Sequence, residues 1–164
     1  MDSSIVSREI RREIWPALRK EGFDQFSSRM AWRRRDARIW VVNFQSIHAR
    51  HAEVQGYTPF SFTVQLGIYV SALGGDTQTP VVRPKDRDCH LHSKLSKTLE
   101  QPDHQHKDIW YVDPIGGNVL FALDDARTVL RNEGMRWFQR FEDNAEVLRA
   151  LDEEGAELLG KSSR

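Results

Sequence analysis

An α+β fold is predicted for this chain: an antiparallel sheet of four to five strands, with an amino-terminal helix and carboxy-terminal helices packed on one face. Three observations lead there. Apolar residues recur every four positions early on, at Ile10, Ile14 and Leu18. They then alternate at every second position in several runs between Phe26 and Leu95. After Gly117 the longer spacing returns, at Val119, Leu123, Ala126 and Leu130. A period of about 3.6 marks a helix and one of about 2 a strand. The order helix, strands, helices favours a sheet covered on one side.

The first helix is expected from Ser4 to Glu21, with Gly22 as its left-handed terminator. Pro16 removes a backbone donor and crowds the preceding turn, so a kink is expected near Arg12–Trp15. Phe26 to Arg34 alternates, and so does Arg38 to Ser46, across the short break Arg35-Asp36-Ala37. Together they predict a β-hairpin with Trp32 and Trp40 on its core face. Residues 47–58 are polar and predict a loop. From Phe60 to Val70, Phe62, Val64, Leu66 and Ile68 point one way and Thr63, Gln65, Gly67 and Tyr69 the other. That is a strand with one face in the core. Residues 72–87 hold Gly74-Gly75, Pro80 and Pro84 and predict a long irregular loop. Asp88 to Leu95 alternates again, with Cys89, Leu91 and Leu95 inward and His90, His92 and Lys94 outward. A short strand is expected over Ile109–Val112. The next helix is expected to end at Gly134, and Asp143 with Glu146 suggests a capping box opening a last helix.

The 164 residues suit a single domain over 1–155 with a frayed tail over 156–164. Lys and Arg total 24, as do Asp and Glu, so the chain lacks the basic excess of a DNA-coating protein. The charge is nevertheless uneven. Residues 1–50 carry eleven Lys or Arg against six Asp or Glu, whereas residues 140–164 carry four against seven. Either the two ends complement each other within one fold, or a basic face docks an acidic partner. The longest apolar run is Val119–Leu123, far short of the ~18 residues of a membrane span. Met1–Arg8 has no secretory pattern, and the lone Cys89 suits a reducing compartment, so a cytoplasmic location is expected.

Several segments, taken in order, resemble one family. They are Pro16-Ala17-Leu18 with Gly22-Phe23, Val42-Asn43-Phe44-Gln45-Ser46, and Phe62-Thr63-Val64-Gln65-Leu66-Gly67-Ile68-Tyr69. Cys89-His90-Leu91-His92-Ser93-Lys94-Leu95, Asp108-Ile109-Trp110-Tyr111 and Trp137-Phe138-Gln139-Arg140-Phe141 follow. This pattern resembles the bacterial DUF4304 family, a domain of unknown function, from about Ile10 to Leu151. The family pattern usually has an arginine where Lys94 stands and a glycine where Ser96 stands, so no bidentate guanidinium is expected there. The resemblance implies an α+β fold and no reaction. It implies at most an accessory or immunity-type role.

The residues carry few catalytic signals. His90 and His92, two apart on a strand, share a face, and a loop histidine such as His104 can complete three ligands. This makes a metal-assisted hydrolase the alternative function. Cys89, expected in the core, is a poor nucleophile. Gly116-Gly117 before a helix either binds an anion or simply turns the chain. Arg29, Arg33, Arg34, Arg35 and Arg38 with Trp32 and Trp40 can grip nucleic acid, but a solvated hairpin tip explains them equally. The most informative feature is the outward sheet face, where Arg29, Asn43, Gln45, Gln65, His90, His92 and Lys94 are expected to project together. Such a row is either solvated or built to hold something polar. The resulting expectation is a non-catalytic binding module without a cofactor, whose partner is a protein or a small polar ligand.

Overall fold

The computed structural model describes residues 3–74, 81–143 and 145–153. Helix α1 (Ser3–Glu13) breaks at Ile14 and resumes as α2 (Trp15–Lys20), with Pro16 in its first turn. The expected kink therefore sits where the proline removes its donor. At the end of α2, Gly22 takes φ +92°, and the Gly22 and Phe23 N–H groups donate to the Arg19 and Leu18 carbonyls. This double bond closes the helix around the glycine.

Five strands follow: β1 (Gln25–Phe26), β2 (Met30–Arg35), β3 (Arg38–Ser46), β4 (Phe62–Val70) and β5 (Leu91–Lys94). They pair in chain order, each antiparallel to the next. Asp36 at φ +54° makes the tight β2–β3 turn. Three expectations change here. Phe26–Arg34 is not one strand, because the Ser27 hydroxyl accepts the Met30 N–H (3.0 Å) and folds β1 back onto β2. Trp32 consequently pairs with Val41 and faces away from Trp40, which pairs with Arg33. Residues 47–58 are not all loop, since helix α3 (Ala49–Gln55) forms between a His48 cap and Gly56 at φ +75°. The strand expected over Ile109–Val112 contracts to one bridge, Phe62 with Trp110.

Helix α4 (Val119–Val129) continues through a π-turn (Leu130–Gly134) into α5 (Met135–Arg140). Gly134 was expected to stop the helix but keeps helical angles, and a Cβ built there would lie 2.9 Å from Leu130 Cδ1. Its role is close packing rather than termination. A last helix, α6, covers 145–153, with Asp143 accepting the Ala145 N–H (2.9 Å). Glu146 turns to Arg140 (3.8 Å) and Arg149 rather than closing a capping box. The tail expected over 156–164 lies outside the described residues.

Helices α1, α2, α4 and α5 cover one sheet face. Trp15, Leu18, Phe44, Phe62, Leu66 and Phe138 are fully buried there. Phe62 stacks on Trp110 (5.7 Å) and Trp40 on Phe138 (4.7 Å). Each such side chain contributes about 1.5–3 kcal/mol by leaving water. The hairpin tip meets the start of the acidic end: Arg38 donates to the Phe141 and Glu142 carbonyls, and Arg35 pairs with Glu142 (3.8 Å). Part of the uneven charge is thus complementary within the fold. No helix among the described residues is long and apolar enough to cross a membrane.

Candidate functional site

The strand register sorts the other sheet face into rows. Met30, Asn43, Gln65 and Lys94 are successive partners across β2–β5, and Gln45 with Thr63 forms the row beside them. On the other side lie Trp32, Val41, Gly67 and His92, then Ile39 with Tyr69. The face is therefore half polar and half apolar. Trp32, Ile39, Val41, Tyr69 and Cys89 form a second buried cluster, with Met30 and Val81 packed against it.

Residues 81–90 roof that apolar half. Trp32 Nε1 donates to the Pro84 carbonyl (2.9 Å), and Arg34 donates to that of Val81 (2.9 Å). Cys89 sits over Gly67, where a Cβ would come within 2.6 Å of its Sγ. This overturns the expected place of Cys89 in the core with Leu91 and Leu95. Alternation begins only at Leu91, because the chain reaches β5 from above this face, and the His90 N–H bonds the Ile68 carbonyl beforehand. Burial, reinforced by Asp86 and Asp88, pushes the thiol up to about 12, so it remains a poor nucleophile.

A short turn, Asp86–Asp88, ends the roof over the polar rows. There Asn43 Nδ2 donates to Asp86 Oδ2 (2.5 Å). Beneath the turn opens a cleft of about 460 Å³, lined by Met30, Asn43, Gln45, Gln65, Lys85, Asp86 and Arg87 among others. An adjoining lobe of about 300 Å³ adds His92, Ser93 and Lys94 and shares Gln65 and Asp86 with the first. Asp86 Oδ1 is buried without a hydrogen-bond partner. Leaving such an acceptor unpaired costs about 1–3 kcal/mol. Gln65 bonds Thr63 (3.4 Å), and Lys94 pairs with Asp108 (3.4 Å) at the rim. Lys85 and Arg87 have no ion pair among the described residues.

Of the residues expected on this face, Asn43, Gln45 and Gln65 line the first lobe, and Gln65, His92 and Lys94 the second. Two do not join them as expected. Arg29 borders the cleft, but its guanidinium runs to α1, with Nε on the Ser7 hydroxyl (3.0 Å), and burial lowers its pKa. His90 turns to the backbone, where Nδ1 accepts the Val70 N–H (3.0 Å), and its ring lies against Tyr69. Spacing alone missed Lys85, Asp86 and Arg87. Their only sequence signal is a charged run after Pro84 in a loop, the kind of segment that carries function.

The other constellations find internal partners. His104 Nε2 lies 3.0 Å from the Gly56 carbonyl, and the ring stacks on Tyr111 (3.5 Å). Among the described residues, no three of His, Cys, Asp and Glu converge on a point that can hold a metal ion. The alternative metal set of His90, His92 and His104 is therefore not assembled. The N–H groups ahead of α4 are also occupied, since Asp113 accepts those of Ile115 (3.0 Å), Gly117 (2.9 Å) and Asn118 (3.1 Å). An anion at Gly116-Gly117 would displace the chain's own carboxylate. Arg33 lies over Trp40 (4.1 Å), and the other arginines of the hairpin bond as described above. The arginine cluster weighed above for nucleic acid is thus engaged within the fold.

A family model described as a domain of unknown function (DUF4304) matches residues 14–140. No curated protein matches the chain, and no solved structure does.

Proposed function

We propose, from the premise that the chain belongs to the DUF4304 family of domains of unknown function, that it is a non-catalytic binding module whose partner seats in the two-lobed cleft. One observation carries this reading: a two-lobed cleft of about 460 and 300 Å³ opens over a rigid row of amides on the sheet. Polar groups held on a concave face pair either with water or with a ligand that matches them. The rigid part of the site is β-sheet, which holds Asn43 and Gln65 side by side and favours recognition over motion. The reading takes the chain as one bacterial cytoplasmic domain of accessory or immunity type, in keeping with its single cysteine.

The test pairs two exposed positions, one in each lobe. Gln45→Ala combined with His92→Ala should leave the circular dichroism spectrum unchanged and abolish capture of native partners from a lysate of the source cells. Capture of the same partners by the double variant would remove this face from consideration.

A further inference from the structure

The roof over the second sheet face is attached differently from the strands beneath it. No residue from Val81 to Cys89 belongs to a strand, and the chain rejoins the ladder where the His90 N–H bonds the Ile68 carbonyl (2.9 Å). Side-chain bonds hold the roof down instead. Trp32 Nε1 donates to the Pro84 carbonyl, Arg34 to that of Val81 and Asn43 to Asp86, while Arg83 Nε donates to Gln25 Oε1 (3.2 Å). Of the roof residues, only Pro84 and Cys89 are buried. The turn within the roof is bonded to itself. Asp88 Oδ2 accepts the Lys85 N–H (2.9 Å), and the Lys85 carbonyl accepts the Asp88 N–H (2.9 Å) and the Cys89 thiol (3.5 Å). The cluster beneath, with Trp32, Ile39, Val41 and Tyr69, is separate from the helix-covered core.

A segment with few buried side chains and its own internal bonds opens at lower cost than the whole fold. We propose that residues 81–89 form a lid, hinged at His90, that swings off the sheet as one piece while the strands and helices stay folded. His90 pins the hinge, since its Nδ1 accepts the Val70 N–H (3.0 Å). The lid carries Lys85, Asp86 and Arg87, and the sheet carries Asn43, Gln45 and Gln65, so the swing takes one wall from the cleft. Opening also bares Cys89 and the Trp32 indole together. Burial, Asp86 and Asp88 push the thiol up to about 12, and a thiol so placed reacts once it is uncovered. The single cysteine of the chain therefore reports the motion.

Labelling of Cys89 with dithiobis(nitrobenzoic acid) in urea below the unfolding transition tests this, beside NMR exchange of the Trp32 indole proton. Both rates should rise with urea along a slope less than about half that of global unfolding, because the slope follows the surface exposed. Removing two exposed anchors, by Arg34→Gln with Arg83→Gln, should speed both probes about threefold or more and leave the midpoint of global unfolding in place. A maleimide on Cys89 has no room above Gly67, where even an added Cβ would come within 2.6 Å of Sγ. The adduct should keep the circular dichroism of the folded chain and the Trp110 indole resonance, and shift that of Trp32. Labelling with the urea slope of global unfolding would overturn the proposal, as would loss of the Trp110 signal in the adduct. So would a double variant that leaves either probe unchanged, since the roof would then not move as one piece. None of these outcomes bears on the binding reading, which Gln45→Ala with His92→Ala tests on the sheet itself.

Discussion

The two faces of the sheet are built from the same strands yet solve different problems, and two aspartates show the contrast. On the helix-covered face, Asp125 of α4 ties down the neighbouring segment. It accepts the Trp110 indole N–H (2.9 Å), the Thr98 N–H (3.0 Å) and the Thr98 hydroxyl. Burial pushes its pKa up, but the hydrogen bonds from Thr98 and Trp110 outweigh this and hold the carboxyl below the usual carboxylate range. On the opposite face, Asp86 has one donor on one oxygen and none on the other. The first aspartate is a saturated structural clamp, while the second still has bonding capacity to spare. Burial and charge alone do not tell the two carboxylates apart. The count of donors does.

Substitutions on the two faces sharpen this contrast. The largest effect is expected on the helix side. Phe62 is fully buried against Phe44 and Trp110. Phe62→Asp places an unpaired charge there and should cost about 4 kcal/mol or prevent folding, read from thermal unfolding. Unchanged stability would mean that β4 does not present this residue to the core.

A smaller effect is expected under the roof. Gly67→Ala drives a methyl into Cys89 Sγ and should cost about 1–3 kcal/mol. Adding Cys89→Ala should return much of that loss, and urea midpoints of the single and double variants measure the coupling. Strict additivity of the two substitutions would show that the roof does not rest on Gly67.

The smallest effect is one of pH. A carboxyl whose pKa is lowered in the folded state adds stability that is complete above its unfolded value, near ~3.9, and is lost as pH falls through the folded value. Asp125 is such a group. Between pH 6 and pH 3 the native chain should therefore lose more stability than Asp125→Asn, as compared by urea midpoints. An equal loss in the two proteins would show that the Thr98 and Trp110 bonds do not favour the ionised form.

Local rules made much of the fold legible. The alternation in β3 and β4 gave the right faces because both strands are long and unbroken, and Pro16 marked its own helix break. The failures are equally local in cause. A three-residue turn at Ser27–Arg29 carries no glycine or proline, so it hid inside an alternating run and reversed the face of Trp32. Helix α3 is short and capped by a histidine, a weak signal. Ile39, Val41 and Tyr69 stood on the face read as polar, and they were the overlooked hint that something covers it. For the candidate site, Asn43, Gln65, His92 and Lys94 were legible from strand phase. Asp86 was not, because it meets Asn43 across 43 residues of chain, a closure that no spacing rule encodes.

The π-turn at Leu130–Gly134 has a consequence for how this chain tolerates change in length. One residue advances a helix by about 100°. The extra residue held in the wide turn sets the phase of everything after it, keeping Phe138 on Trp40 while Leu123 and Ala126 remain on the core side. Deleting a single residue between Leu130 and Gly134 would let the wide turn close into an ordinary α-turn with α5 kept in phase, whereas adding one there would turn α5 by more than a quarter revolution and swing Phe138 off the sheet. For this helix an insertion acts as a rotation, while the wide turn already holds the one residue that the helix can lose without changing phase.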